Sequence, residues 1–443
     1  MANFTPHTEN DIKEMLAAIG APDIDSLFSD IPRELRAASF NIPAGMAEHE
    51  AMSKISKMAA KNRTDLACFL GGGYYDHFIP AAVDAVSGRA EFYTAYTPYQ
   101  PEASQGTLQA IFEYQSMMAR LTGLDFSNAS LYDGATALYE AIAMAVRTNN
   151  RKKVVIDAGV NPLFIRVVRT YVINQEIEIV TADLSGVSAD RNRISGLLDD
   201  DTAALVMQNP NFFGTADDYT DLFAQAAARN ITKILCFYPA SLSALKSPSE
   251  MGADIAVADG QSLGLPLSFG GPYLGIMAAS KNYVRKMPGR IVGETVDRDG
   301  KKAFVLTLQA REQHIKREKA TSNICSNQAL CALRAVVYLS LMGKAGFEKL
   351  GKINMQRAQK LAGNLSAIRG VKVMQEPFFN EFTVTLPVEA EKFAAKMAGC
   401  GIMAGLPASV FFPERKNELI VAVTEKRTDD ELRAYCDKAM ICI

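Results

Sequence analysis

From about residue 150 the chain alternates short β-branched apolar runs with longer stretches whose apolar positions recur every three to four residues. The runs are Lys153-Val-Val-Ile-Asp157, Ile177-Glu-Ile-Val180, Ala203-Ala-Leu-Val-Met207, Ile234-Leu-Cys-Phe237, Ile255-Ala-Val-Ala258 and Tyr273-Leu-Gly-Ile-Met277. Strands that are apolar almost throughout are covered on both faces, so the alternation predicts βαβ crossovers and a mostly parallel sheet between helices. After a turn at Met287-Pro-Gly a helix is expected over 326–341. Runs at Val371-Lys-Val-Met374, Phe382-Thr-Val-Thr385 and Leu419-Ile-Val-Ala-Val423 then alternate with helices over 389–398 and 428–440, which is an α+β pattern. Before residue 60 the chain reads as helical and loosely connected: Thr8 can cap a helix through Asp11, and Pro22, Pro32 and Pro43 punctuate the stretch beyond it. The expected division is a helical arm (1–62), a large α/β domain (63–325) and a small α+β domain (326–443), with no internal repeat.

Length and composition permit this. The 443 residues are 48% apolar and 22% charged, and 47 Lys plus Arg against 49 Asp plus Glu give a net charge of −2. A disordered chain or a nucleic-acid binder is not favoured by such a balance. Seven Cys without a CxxC pair, and only four His, signal neither a disulfide framework nor a zinc site. Reduced thiols in a cytoplasm are expected. The acid-bearing start is unlike a signal peptide, and the longest uncharged stretch, 260–280, is broken by Gly264, Pro266, Gly270, Gly271 and Pro272, so no membrane span is expected there.

Four segments carry candidate chemistry. Asp133-Gly134-Ala135-Thr136 follows the extended run Asn128-Ala-Ser-Leu-Tyr132 and opens a helix through Val146, so its free amides can cradle a phosphate. The plainer reading is an N-cap and a tight turn. The segment from Tyr93 to Gly106 crowds Tyr93, Tyr96, Tyr99, Gln100, Glu102 and Gln105 onto a backbone stiffened by Pro98 and Pro101. It reads either as a recognition loop or as a rigid turn packed on the sheet. Gly71-Gly-Gly-Tyr-Tyr-Asp-His77 is an unusual bend or a close-approach loop, and His77 alone is read as a satisfied surface residue. Residues 281–319 hold eleven Lys or Arg against five Asp or Glu, a basic face that can attract an anionic partner or simply be solvated.

Together, Thr-Pro-Tyr-Gln-Pro-Glu102 with Ser-Gln-Gly106, Asn128-Ala-Ser-Leu-Tyr-Asp-Gly-Ala-Thr-Ala137, Met287-Pro-Gly-Arg-Ile-Val-Gly293 and Arg311-Glu-Gln-His-Ile-Lys-Arg-Glu-Lys-Ala-Thr-Ser-Asn-Ile-Cys325 resemble the α-subunit branch of glycine decarboxylase, the P-protein of the glycine cleavage system. The resemblance spans roughly 60–340 and is weaker at both ends. It implies the aspartate-aminotransferase-like (fold type I) pyridoxal phosphate fold, with a mostly parallel seven-stranded sheet. Catalytic members need a Lys to bind the cofactor covalently and an Asp at its pyridine nitrogen. In this sequence Ser262, after Gln261, stands in the Lys place and Tyr238 in the Asp place, and no Lys lies between Lys246 and Lys281.

The resemblance therefore implies a subunit that is not an enzyme alone. Its partner, subunit 2, is expected to hold pyridoxal phosphate in a heterotetramer with two copies of each chain. Glycine is decarboxylated there and the aminomethyl group passes to the lipoyl arm of the H-protein. On this reading Tyr96, Thr97, Tyr99, Gln100, Glu102 and Gln105 reach the partner's site, while Asp133, Gly134, Ala135 and Thr136 form a vestigial phosphate cradle. Arg290, Arg311, Lys316 and Arg317 steer the acidic carrier, and His314 anchors their segment; no metal is implied. The alternatives are a structural or carrier-docking subunit, and a self-sufficient pyridoxal phosphate enzyme using Lys246 or Lys281.

Overall fold

A computed structural model describes residues 6–39, 41–374 and 377–443; residues 1–5, on which part of the reading of the amino terminus falls, lie outside them. The chain forms two compact units, 1–65 and 66–443. In the first, the helix Glu9–Ala18 starts where Thr8 predicts it: the Thr8 hydroxyl accepts the Asp11 N–H at 3.2 Å, and the Asp11 carboxylate accepts the Thr8 N–H at 2.6 Å. A second helix, Glu48–Ala59, lies beyond the Pro-punctuated stretch. Neither helix buries a residue. Helices this short gain most of their stability from packing, so these two contribute little by themselves.

The second unit is built on a seven-stranded sheet in the order Phe126–Ser127, Gly275–Ala279, Ile255–Asp259, Thr232–Phe237, Thr202–Asn209, Lys153–Asp157 and Glu178–Ala182. Every pairing is parallel except those of Gly275–Ala279, which runs antiparallel to both neighbours. All five residues of Ile255–Asp259 are buried, as the unbroken apolar run requires. On one face the helices Gly134–Asn149 and Pro162–Tyr171 close a core around Val154, Ile156, Val206 and Ile234. Gln105–Thr122 and the first part of Ala329–Ser366 close another around Ala256, Ala258, Ile276 and Ala278. Each fully buried Val, Ile or Leu contributes roughly 1.5–3 kcal/mol relative to exposure.

The helix expected over 326–341 is observed as Ala329–Ser366, interrupted at Gly343, where φ is 57°. Its length and composition alone would let it span a membrane, yet its apolar residues are divided between two cores: Ala332, Ala335 and Val336 under the sheet, and Ala358, Leu361 and Leu365 in the terminal layer. That layer holds an antiparallel sheet, Lys372–Val373, Glu381–Thr385, Glu418–Ala422 and Leu406–Pro407, and the helices Ala390–Gly399 and Asp429–Cys442. Ala67–Cys68 pairs in parallel with Ile402–Met403, so the chain enters the second unit through its carboxy-terminal layer, and a boundary at 63 does not mark the start of the large sheet.

Within the candidate segments a helix and a hairpin were not expected. The helix Gln105–Thr122 begins at the last residue of the Tyr-rich loop, and Ile291–Val296 with Lys302–Thr307 forms an antiparallel hairpin within the basic segment. The extended run ahead of Asp133 is largely irregular: the strand is Phe126–Ser127, and Leu131 makes an isolated bridge to Gly275.

Candidate functional site

Open parallel sheets present ligands at the carboxyl ends of their strands. Here those ends carry Asp157, Asn209, Tyr238 (just past Phe237) and Asp259, and Asp259 meets the amino terminus of the helix Gly134–Asn149. That terminus is already filled. The Asp133 carboxylate accepts the Thr136 N–H at 2.8 Å, and the Asp259 carboxylate accepts the Gly134 N–H at 3.1 Å and the Gln261 N–H at 3.0 Å. Burial pushes Asp259 up to about 7, against the pull of its two N–H donors. An internal carboxylate thus stands where a phosphate would dock. A Cβ on Gly134 would fall 2.6 Å from Phe164 Cζ and 2.7 Å from the Asp259 nitrogen, so the approach is as close as glycine permits. Gly134→Ala is expected to cost on the order of 1–3 kcal/mol through overpacking, read as a lower midpoint in denaturant with unchanged slope.

Tyr238 occupies the position expected for a pyridine partner, buried and bonded through its hydroxyl to His77 Nε2. His77 in turn meets Glu425 through Nδ1 at 2.8 Å. Burial raises Glu425, but its bond to His77, the charge of that ring and the Phe78 N–H outweigh burial and leave its carboxyl below the ordinary range. The expectation that His77 lies on the surface is corrected: it is 6% exposed, held between a phenol and a carboxylate. Beside it, Tyr75 packs on Tyr238 with ring centres 4.5 Å apart and donates to Glu381 Oε2 at 2.8 Å. Glu381 also accepts the Gly72 N–H at 2.6 Å, and burial lifts it to about 7. Gln261 spends its amide on the Tyr75 backbone and the Leu265 carbonyl. Ser262 is 2% exposed beside this network.

These residues do not fit pyridoxal phosphate. Where the resemblance expects an amine there is a buried serine, where it expects a carboxylate there is a buried phenol, and at the helix terminus expected to cradle a phosphate the Gly134 N–H already meets Asp259. Among the described residues no cluster suited to a metal ion exists either.

The Tyr-rich loop is largely open to solvent. Tyr96 is 83% exposed; Gln100 and Glu102 are exposed, and Thr97 is half-buried. Tyr99 is anchored by Arg290 Nη2, which donates to its hydroxyl at 3.1 Å. Gln105, expected to reach outward, is instead consumed within the chain: its amide donates to the Pro101 and Phe304 carbonyls and accepts the Phe304 N–H, tying the loop to the hairpin. The basic face is also redrawn. Arg290 is 4% exposed, and Arg311 is half-buried with its guanidinium on the Met287 and Gly289 carbonyls, so neither can meet a carrier as an exposed charge. Lys316 and Arg317 remain exposed. Sequence reasoning missed Asp259 and Glu381; the one available signal was that Asp259 ends a buried strand on the side where ligands bind.

The family model for the glycine cleavage system P-protein matches residues 2–438. The probable glycine dehydrogenase (decarboxylating) subunit 1 of Maridesulfovibrio salexigens is 52% identical over 435 residues, covering 98% of each chain. Its counterpart in Geotalea uraniireducens is 54% identical over 433 residues, again covering 98% of each. The crystal structure of an inhibitor-bound glycine decarboxylase (P-protein) superposes with a TM-score of 0.94 at 39% identity, covering 100% of both chains. A sphingosine-1-phosphate lyase of Burkholderia pseudomallei, at 15% identity and a TM-score of 0.68, shares the fold alone, that of fold type I pyridoxal phosphate enzymes. The chain belongs to the glycine cleavage system P-protein family, as a counterpart of its subunit 1.

Proposed function

We propose that this chain is the non-lysine-bearing subunit of glycine decarboxylase and completes a site whose pyridoxal phosphate is carried by a homologous catalytic chain, subunit 2. The observation that carries this reading is a fully retained fold in which each group that would hold the cofactor is replaced or internally occupied. In the complex, glycine loses CO2 and its aminomethyl group passes to the lipoyl arm of the H-protein, with two copies of each chain working in the cytoplasm. Neither nucleic acid nor membrane takes part. We keep the division into an arm, a large domain and a small domain as a functional one, with the arm and the large domain meeting the partner.

Unpartnered apolar surface supports a lasting partner. Phe269 is 97% exposed, Phe78, Tyr93, Tyr96 and Leu341 are exposed, and Leu330 lines one groove with Phe92, Tyr93 and Tyr96. Monomers rarely leave so many large apolar side chains uncovered. The exposed groups of the Tyr96–Gln105 loop are then free to orient glycine or the lipoyl arm across the interface.

The test is reconstitution. Tyr96→Phe, Tyr99→Phe and Gln100→Ala chains should assemble with subunit 2 but lower turnover, by as much as a hundredfold if one positioned donor in a dry site is lost, about 3 kcal/mol. Normal assembly with full rate in all three would leave a structural or carrier-docking subunit. Lys316 and Arg317 are the exposed charges proposed to steer the acidic carrier. Screening acts over about 8 Å at physiological ionic strength, so Lys316→Glu with Arg317→Glu should flatten the salt dependence of carrier affinity and leave that of glycine alone. Equal salt slopes in wild type and variant would place docking elsewhere.

A further inference from the structure

Beside the Tyr-rich loop lies a charge pair that folding alone does not explain. Arg290 and Glu312 are 4% and 9% exposed, and Arg290 Nε stands 3.8 Å from Glu312 Oε2, beyond hydrogen-bond length. Arg290 Nε and Glu312 Oε1 have no hydrogen-bond partner. A buried pair left partly unsatisfied is usually less stabilising than apolar residues of the same volume. What this pair does achieve is orientation. Arg290 donates through Nη2 to the Tyr99 hydroxyl at 3.1 Å and through Nη1 to Asn327 Oδ1 at 3.4 Å, and its guanidinium carbon lies 5.4 Å from the centre of the Tyr99 ring. Glu312 Oε2 lies 3.7 Å from His314 Nδ1, and the His314 and Tyr99 rings meet edge to face with centres 5.4 Å apart. Asn327 closes the set, donating to Ser130 Oγ at 2.9 Å and to the Ala129 carbonyl at 3.2 Å, directly ahead of the filled cradle.

We propose that Arg290, with Glu312 and Asn327 behind it, is a positioning residue that holds Tyr99 and His314 as one preorganised edge presented to the partner's substrate. A tyrosine on a loop between two prolines has a free χ1 and χ2; a guanidinium bonded to Asn327 and drawn by the charge of a buried carboxylate 3.8 Å away removes that freedom before substrate arrives. This assigns to Arg290 a part in turnover rather than in carrier capture. The inference rests on the reading that the loop completes the partner's site.

The test is a double-mutant cycle in the reconstituted complex with subunit 2, using Arg290→Met, Tyr99→Phe and the double variant, with Arg290→Lys as a second probe that keeps the charge and loses the fork. If Arg290 acts through Tyr99, Arg290→Met and Arg290→Lys each lower kcat about tenfold or more. The salt slope of carrier affinity stays within twofold of wild type, and the double variant is no slower than the slower single. Should Arg290→Met fail to assemble, the Lys variant and its double with Tyr99→Phe carry the same comparison. Losses that multiply in the double variant, or a normal kcat in the Arg290 variants while Tyr99→Phe is slow, would overturn the inference and leave the loop reading intact. Full rate in Tyr99→Phe together with Tyr96→Phe and Gln100→Ala would overturn both.

Discussion

Purified alone, incubated with pyridoxal phosphate and reduced with borohydride, the chain is expected to carry pyridoxyl on no lysine in stoichiometric amount and to retain no cofactor absorbance after gel filtration. On the proposed reading three replacements act together. Ser262 offers a hydroxyl where an amine is needed, and Tyr238 spends its own hydroxyl on His77. At the third point the Gly134 N–H that would meet a phosphate already meets Asp259 at 3.1 Å. Bringing a phosphate there costs the existing bond, and wherever Asp259 is ionised it adds like-charge repulsion in a buried setting. The two lysines nearest in sequence cannot substitute. Lys246 pairs with Asp218 at the surface. Lys281 follows Ala279, whose strand partner is Ile255, the opposite end of the strand from Asp259, so it lies past the far edge of the sheet. Peptide mapping that found one pyridoxyl per chain on either lysine, or glycine-dependent CO2 exchange by the chain without subunit 2, would refute this and restore a self-sufficient enzyme.

Much of the fold was legible because strand and helix periods differ. The run Lys153–Asp157 is observed with the bounds its apolar pattern predicts, and Thr8 and Asp133 cap the helices they were expected to cap. The elements that escaped notice had ambiguous local signals. Gln105–Thr122 opens with Gln and Gly after two prolines, so its start looks like the end of a loop; the hairpin from Ile291 to Thr307 hides apolar alternation among charges. The helix beyond Gly343 reads as a new element only because glycine there adopts a left-handed φ. The site divides in the same way. That Ser262 and Tyr238 stand where the resemblance expects a Lys and an Asp, with no Lys between Lys246 and Lys281, is read from residue identity. That Asp259 fills the cradle, that Arg290 is buried against Tyr99 and that Gln105 faces inward depend on groups 125, 191 and 199 residues apart in sequence meeting through tertiary packing. No local pattern records that.

The chain is also expected to lose stability as the pH rises from about 5 to 8, the reverse of ordinary acid denaturation. Asp157, Asp259 and Glu381 are each lifted by burial to about 7, from 3.8 for the two aspartates and 4.5 for the glutamate. Between the unfolded and folded values the native chain holds these protons and the unfolded chain has released them. Stability from these groups is therefore complete below about pH 4 and is lost as the pH rises through 7, with a slope of up to about 1.4 kcal/mol per pH unit for each group. Acids held low by exposed partners, such as Asp65 and Asp218 at about 2, act in the opposite sense but below this window. Asp157 isolates the effect. Its Oδ2 accepts the Gly159 N–H at 3.1 Å while Oδ1 has no partner, so an asparagine can keep the bond and turn its NH2 to the vacant side. Asp157→Asn should therefore exceed wild type by only about 1.6 kcal/mol near pH 5, where the folded Asp157 holds its proton and the unfolded one, at 3.8, has already lost it. Near pH 8 it should be more stable, by at most about 4 kcal/mol for the roughly three-unit shift. Denaturant titrations of both proteins at the two pH values decide it: a difference between them that is the same at pH 5 and pH 8 would mean that Asp157 does not titrate in this range and that its burial is offset by groups other than Gly159.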